Sequence, residues 1–539
     1  MGGLSGSADA PAAQGSSMPG EATLPRDAGP GFFRVRPAEV ALQLTTRSPR
    51  ADLRFVVDRG DVGRPEDLRV ALEDLPDGVV AAPVFVPAAR RVGVLALEVI
   101  LDDDGRIPIG LDGSVHTLRL VAGVERGVGG PTSAFKDQTE LTVAVRGDPG
   151  DPVRGFGDDG LATLDSPDSQ WIATEMAVDP DDGSLFLPIT RAVPGGTVIP
   201  IDRQVGQVAK LDVDGRLDRN FGIGGFTSDT ADLPDLGPSL SLDFDPATES
   251  VLWLTGPRFG EATDHRVLIR LDGDHGRALP TPTDVTFVVA SDVDQLAVPR
   301  EGRPGVHVFG FSRQTFVTAL EQDGTPARDW GDAGVYDPID TRFHLDRGAT
   351  LDGGELLLMG RLIPRGVEVP RLLMLVYVDR DGETRALSFG RVALPDDGDG
   401  FEDFPAFVAD PATRRSYVLG RRRNRGHRIF AVGPDGDREP DRDIAPGLFE
   451  PVGLALQGDG SLLVSMQQRG LSGDSPHTVL RRYRPDGSQD ERFGDGSVSI
   501  GRGPATFLVV DDDRQRVYVA GGQVPGDTPS ELWVRAFWL

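Results

Sequence analysis

Apolar residues in this chain come in short bursts of alternating apolar and polar positions, each closed by Gly, Pro, Asp or Asn. The segment from Val92 shows the rhythm well, with Val94, Ala96 and Glu98 lying between Leu95, Leu97 and Val99. A period of two is the mark of a strand with one buried face. It predicts strands over 33–44, 53–57, 68–72, 92–101, 116–122 and 140–145, separated by turn formers at 58–60, 75–78, 102–105 and 111–113. No stretch keeps a helical period through three turns. Six or seven short strands within residues 31–147 have the size and spacing of an immunoglobulin-like β-sandwich.

A second pattern begins after the turn formers of 147–152. A strand runs into an acidic turn and a second strand leaves it, with the first turn residue at 179, 245, 299, 352, 410, 457 and 511. The spacings lie between 47 and 66 residues. A period near 50 with four strands per unit predicts a β-propeller over 150–539, and seven units predict seven blades. The last unit ends at its third strand, whereas residues 155–164 hold a Phe-Gly segment and a strand with no unit of their own. The expectation is that 155–164 completes the last blade and so leaves no free sheet edge.

Three stretches repeat one cassette: a strand, an Asp-Gly turn, a second Asp, then an aromatic-Gly pair. They are 208–222, 479–494 and a worn copy at 317–331. The repeated carboxylates are read as Asp218, Asp490 and Asp329, and the aromatics as Phe221, Phe493 and Trp330. The carboxylate is expected to accept N–H bonds inside the turn and the aromatic to wedge between neighbouring sheets. The cassette resembles the bacterial delta-60 repeat, and the resemblance, over 150–539, implies a propeller in envelope or secreted proteins with no common activity. Residues 68–79, with their Leu-Pro-Asp-Gly-Val ending, resemble the strand and turn of bacterial Ig-like domains, which serve as spacers in surface proteins.

Composition narrows the setting. The 539 residues carry a net charge of -28, which argues against nucleic acid as a partner because phosphate binding needs a basic face. There are no cysteines, so thiol nucleophiles, Cys-based zinc sites and disulfides are excluded. No run of eighteen apolar residues exists, so no transmembrane segment is expected. Residues 1–30 read as a small, polar, disordered tether. Their start looks like the mature end of a bacterial surface lipoprotein with its signal and lipidated Cys removed, and equally like an ordinary disordered terminus. The expected location is extracellular or cell envelope, with a possible lipid anchor and a monomeric state.

Candidate chemistry is sparse. Acidic turns at 102–105, 179–183, 212–215, 379–382 and 511–513 place carboxylates one or two residues apart. Calcium wants six to eight hard oxygens, and such turns supply several. Asp also dominates hairpin turns by capping its own backbone, so the expectation is no cofactor, with calcium at these turns as the alternative. Seven histidines are scattered without metal-ligand spacing, and only His307 alternates so as to face a central channel. There is no nucleophile elbow, P-loop or dinucleotide fingerprint. The local anomaly is Arg421, Arg422, Arg423 and Arg425, a dense basic loop in an acidic chain. Guanidinium groups bind carboxylates and phosphates bidentately; the alternative is that they neutralise Asp410 or Asp435.

Three functions follow as expectations. The first is a non-catalytic envelope or secreted binding protein, its variable loop face recognising a protein or an anionic glycan. The second is a lyase or hydrolase acting in the propeller channel. The third is a structural envelope protein.

Overall fold

The computed structural model describes the chain from Arg34 to Leu539 apart from 39–40, 59–67, 88–89, 125–136, 165–170, 174, 194–202, 228–238, 257–264, 280–282, 287–292, 299–304, 312–314, 322–324, 333, 337–342, 352–353, 363–371, 384–400, 423–425, 435–441, 445–448, 469–476, 503–504 and 523–531. The tether expected over 1–30 lies outside the described residues. The chain divides into two compact units, one of 1–44, 50–99 and 115–144, the other of 45–49, 100–114 and 145–539. It is all-β, with a single three-residue helical turn at Gly494–Gly496 among the described residues. No described helix is long and apolar enough to cross a membrane.

The first unit holds two antiparallel sheets. One runs Arg34–Pro37, Arg50–Asp58, Val92–Val99, Val79–Ala81, and the other Ala41–Leu44, Asp137–Val145, Ser114–Val124, Leu68–Glu73, Val84–Val86. The alternation is realised residue by residue: Leu95, Leu97 and Val99 are buried while Val92 and Val94 are exposed. Side chains of a strand point to opposite faces in turn, so one register buries the whole apolar set.

The second unit is built of seven antiparallel sheets among the described residues. In the first sheet, Trp171–Ala173 and Ala177–Val178 both pair with Leu185–Val193, which pairs with Arg203–Leu211. The second to sixth sheets are meanders in chain order, opening with Ser239–Asp245, Val293–Ala297, Phe343–Thr350, Phe401–Ala409 and Phe449–Leu456. Each opening strand packs against the opening strand of the next sheet. Ala505–Asp511, which opens the seventh, packs against Ala177–Val178 of the first, so the contacts form a closed circuit.

The seventh sheet joins the two ends of this unit. Leu161–Leu164 pairs antiparallel with Leu532–Trp538, with Leu161 opposite Arg535 and Leu164 opposite Leu532. The connection goes further than one strand. Gly150 donates its N–H to Trp538 O at 2.7 Å, Trp538 donates to Asp151 O at 3.0 Å, and Val153 donates to Ala536 O at 2.9 Å. The turn formers of 147–152, which read as a boundary, thus supply the turn that the last strand lacks.

The cassette is a link between sheets. Phe156, Phe221, Trp330 and Phe493 are all buried, each in a cluster that joins its own sheet to the next one round the circuit. The glycine that follows donates its N–H to the residue before a glycine in a turn of that next sheet: Gly157 to Asp214 O at 2.6 Å, Gly222 to His275 O at 2.8 Å, Gly331 to Asp381 O at 2.8 Å and Gly494 to Pro149 O at 3.0 Å. Gly222 has φ of +55°, and a Cβ there would lie 1.9 Å from Phe226 O. The receiving turn is as tight, since a Cβ on Gly382 would lie 2.3 Å from Gly331 N. The donor glycine is needed to close its own turn, and glycine at the receiving turn is what lets the two backbones approach closely enough to bond.

One expected equivalence is corrected. Asp218 N–H bonds Lys210 O and Phe221 N–H bonds Asp218 O, and the same pair of bonds in the worn copy runs Ala327 to Ala319 and Trp330 to Ala327. Ala327, not Asp329, takes the place of Asp218. The turn counts three residues back from the aromatic, and Asp329 is one residue back.

Candidate functional site

The arginine cluster is less of a loop than its composition suggests. Strand Ser416–Arg422 runs through the first two arginines, and strand Gly426–Val432 begins four positions further on. In register, Arg421 lies opposite Asp403 and His427, and Arg422 opposite Phe401 and Gly426. Arg423 and Arg425 lie outside the described residues, as does Asp435. Asp410 is at the other end of the hairpin, where its carboxylate accepts from Ala412 N–H at 3.0 Å and Thr413 Oγ1 at 2.6 Å. Five residues of strand, about 17 Å, separate it from Arg421.

The acidic turns spend their first carboxylate internally. Asp179 Oδ1 accepts from Asp181 N–H at 2.9 Å, Asp212 Oδ1 from Asp214 and Arg216 N–H at 3.0 and 2.8 Å, and Asp379 Oδ1 from Asp381 and Glu383 N–H at 3.1 and 2.9 Å. These are Asx turns, which orient the carboxylate toward its own backbone. Asp272, Asp274 and His275 bring three oxygen and nitrogen atoms within 4.8 Å of one another. Lys210 Nζ stands beside that group, 4.0 Å from Asp274, 3.8 Å from Asp218 and 3.9 Å from Asp182, and donates to Gly273 O at 2.9 Å. The protein's own ammonium thus offsets part of the negative charge at Asp274.

His307 does not face the channel. It sits on the second strand of its sheet, fully buried, with its ring 5.2 Å from that of Trp330. Neither ring nitrogen has a hydrogen-bond partner among the described residues. Burial without a partner holds its pKa down at about 3, because the imidazolium would be stripped of water.

Side chains that sequence reasoning passed over hold the opening strands together. Glu175 Oε2 accepts from Ser241 Oγ at 2.5 Å and from Leu242 N–H at 3.1 Å in the next sheet. Asp243 Oδ2 accepts from Val298 N–H at 2.8 Å, one sheet further on. Gln295 exchanges two bonds with the Gly348 backbone, at 3.0 and 3.2 Å. Asp512 accepts from Gly458 N–H at 2.8 Å, and Arg514 donates to Pro180 O and Asp181 O at 2.9 and 2.5 Å. Burial pushes the Glu175 carboxyl above its ordinary pKa, against the opposing pull of Ser241, Leu242 and Arg347. Asp512 falls in an acidic turn read from the sequence, but nothing local marks its role or the other residues, since each partner is far along the chain.

The same strands surround a cavity of about 610 Å³. Its walls come from the ends of the opening strands and the turns that follow them, with Met176, Phe244, Val298 and Val509 beside Glu175, Asp243 and Asp511–Asp513. It therefore lies at the turn end of the sheets, opposite the connections between second and third strands.

No family model matches the chain. No curated protein matches it either. Solved structures similar to it include β-propeller proteins. The β-propeller domain of the Trilobed protease from Pyrococcus furiosus, described as having an open velcro topology, is 10% identical with a TM-score of 0.40, over 68% of this chain and 95% of that one. A quinonprotein alcohol dehydrogenase-like protein from Bacteroides thetaiotaomicron is 9% identical with a TM-score of 0.35, over 86% and 95%. The polysaccharide lyase Uly1 is 10% identical with a TM-score of 0.38, over 66% and 88%. Likenesses this distant carry no argument about chemistry.

Proposed function

We propose that 150–539 form a seven-bladed β-propeller closed by 155–164, preceded by an Ig-like sandwich over 31–147, and that the chain is a non-catalytic binding protein of the cell envelope or secreted space. Its binding surface is the end of the sheets that carries the connections between second and third strands, and it takes a protein or an anionic glycan. The observation that supports this reading is the division of labour between the two ends. At the turn end, Glu175, Asp243, Gln295 and Asp512 are engaged in ties between sheets. The connections between second and third strands take in 194–202, 256–264, 363–371, 469–476 and 523–531 of the sequence, and Arg421 and Arg422 are the last two residues of strand Ser416–Arg422, with Arg423 and Arg425 following in the sequence. Loops on a rigid scaffold are where recognition concentrates, and a guanidinium cluster selects carboxylate or sulfate.

The test is retention of the full chain on immobilised polygalacturonate, hyaluronate and envelope proteins, beside a variant with all four arginines changed to Ser. Retention that falls at least about tenfold in the variant is the expected result. Equal retention of both chains overturns the arginine site, and no retention on any surface overturns the binding function. A hydrolase or lyase in the channel is the second reading, favoured by the raised pKa of Glu175.

A further inference from the structure

We infer that the outer face of the sheet Arg34–Pro37, Arg50–Asp58, Val92–Val99, Val79–Ala81 is an interface between two copies of this chain, in place of the monomeric state expected from the sequence. An antiparallel sheet with one solvated face ordinarily fills that face with polar side chains. Here Val56 is 46% exposed, Val92 54%, Val94 45% and Val80 44%. They are not scattered. Val56 lies directly opposite Val92, Val94 follows two residues on, Ala96 two further, and Val80 stands opposite Glu98. Cross-strand partners on one face are about 5 Å apart and alternate residues of one strand about 7 Å, so these side chains form one apolar band across three strands. Contiguous exposed apolar surface marks a partner.

Charge names the partner. The exposed face of Arg50–Asp58 carries Arg50, Asp52 and Arg54 in turn, alternating in sign beside the band. Arg50 pairs with Glu98 at 2.8 Å, whereas Asp52 and Arg54 form no ion pair among the described residues. Two such faces can stack about a two-fold axis that lies between them and runs across the strands. With that axis level with the gap between Asp52 and Arg54, Arg54 of each copy meets Asp52 of the other, and Val94 of each meets Ala96 of the other, since Arg54 is opposite Val94 and Asp52 opposite Ala96. A two-fold interface must be self-complementary in this way. Sheets pack face to face about 10 Å apart with strands within about 30°, a spacing that Val and Ala side chains fill. A partner of one charge sign would meet repulsion at Asp52 or at Arg54. Nor does the acidity of the chain oppose the contact. Residues 1–44, 50–99 and 115–144 hold 13 Lys and Arg against 16 Asp and Glu, and the rest of the chain holds 43 against 68. Most of the net negative charge, and with it the repulsion between copies, belongs to the second unit.

Three strands and eight residues span a patch of roughly 14 by 26 Å. That is small for a specific interface, so the dimer is expected to dissociate on dilution. Sedimentation velocity of the full chain, from low micromolar to near millimolar concentration, tests this. The expected result is a monomer that passes into a dimer, and into nothing larger, as concentration rises. Val94→Glu, at an exposed position, should weaken the dimer at least about tenfold by desolvating a charge, with its thermal transition at the native value. Asp52→Arg alone and Arg54→Asp alone should each weaken it about tenfold or more, because each sets like charges face to face. Mixing those two variants should restore the dimer, since one copy then presents two arginines to two aspartates of the other. A chain that stays monomeric throughout the series overturns the interface. So does assembly beyond the dimer, a dimer that Val94→Glu leaves intact, or a mixture of the two charge variants that does not recover it. Changing the four arginines of the hairpin to Ser should leave the sedimentation unaltered, so this reading and the binding surface fail separately.

Discussion

Two boundaries between sheets in this protein share a backbone and differ in chemistry. Between the first and second sheets, Phe221 packs 5.8 Å from Phe186, which stacks on Phe244 at 5.6 Å. Lys210 lies over the Phe186 ring and donates to Gly273 O. Between the third and fourth, the same register puts His307 in the place of Phe186, Ala319 in that of Lys210, Ala327 in that of Asp218 and Trp330 in that of Phe221. The glycine bond to the next sheet persists in both, at 2.8 Å. What repeats is the aromatic wedge and the glycine N–H. The charged members are replaceable, and at the second boundary the His307 nitrogens and Trp330 Nε1 are buried without partners among the described residues.

The comparison can be broken most directly at the wedge. Phe221→Ala should cost about 3–5 kcal/mol, the usual penalty for emptying an aromatic site in a packed core. Trp330→Ala should cost less than Phe221→Ala despite the larger side chain, because it also removes an unpartnered buried N–H. Urea unfolding of both variants measures this, and an equal or larger loss for Trp330→Ala would show that the two boundaries are not equivalent.

The histidine sharpens the contrast through pH. Its folded pKa of about 3 lies below the ordinary 6.5, so between these values the unfolded chain binds a proton that the folded chain refuses. Stability contributed by neutral His307 is present above pH 6.5 and is lost as the pH falls toward 3. At pH 5 the loss is about 2 kcal/mol. His307→Phe, which restores the residue of the first boundary, should remove that loss, so its advantage over the native chain should grow between pH 7.5 and pH 5. A stability difference independent of pH would mean that His307 is solvated. The smallest effect belongs to Lys210→Met, about 1–2 kcal/mol, because Asp182 and Asp274 are exposed and water takes over their solvation. Thermal melts at low and high salt check it, and a loss near that of Phe221→Ala would make Lys210 the principal bond of its boundary.

The parts of this architecture that were legible in advance are those in which a residue's own backbone sets the requirement. Alternation predicted strands around Leu95 and Leu97 because burial there follows from a period of two. The Asp-Gly turns were readable because Gly215 and Gly382 need positive φ and the Asp side chain caps its own turn. The wedge role of Phe221 could be inferred from recurrence. Asp329 was misplaced because the spacing to the aromatic, not the nearest carboxylate, fixes the turn. Arg421 and Arg422 read as loop residues from charge alone, but hydrogen bonding to Phe401–Ala409 keeps them in a strand.

The sequence by itself thus determined the strands, their turns and the recurrence of the cassette, since all three depend on residues within a few positions of one another. Only the tertiary structure decided what each cassette holds. The aromatic-Gly pair of one sheet meets an X-Gly turn of the next, and Gly494 bonds Pro149, more than three hundred residues away. It also decided that Glu175, Asp243 and Gln295 are ties between sheets and that carboxyls from distant turns share one cavity. Such meetings are set by how the sheets pack round the circuit, and packing leaves no period in the chain for the eye to find.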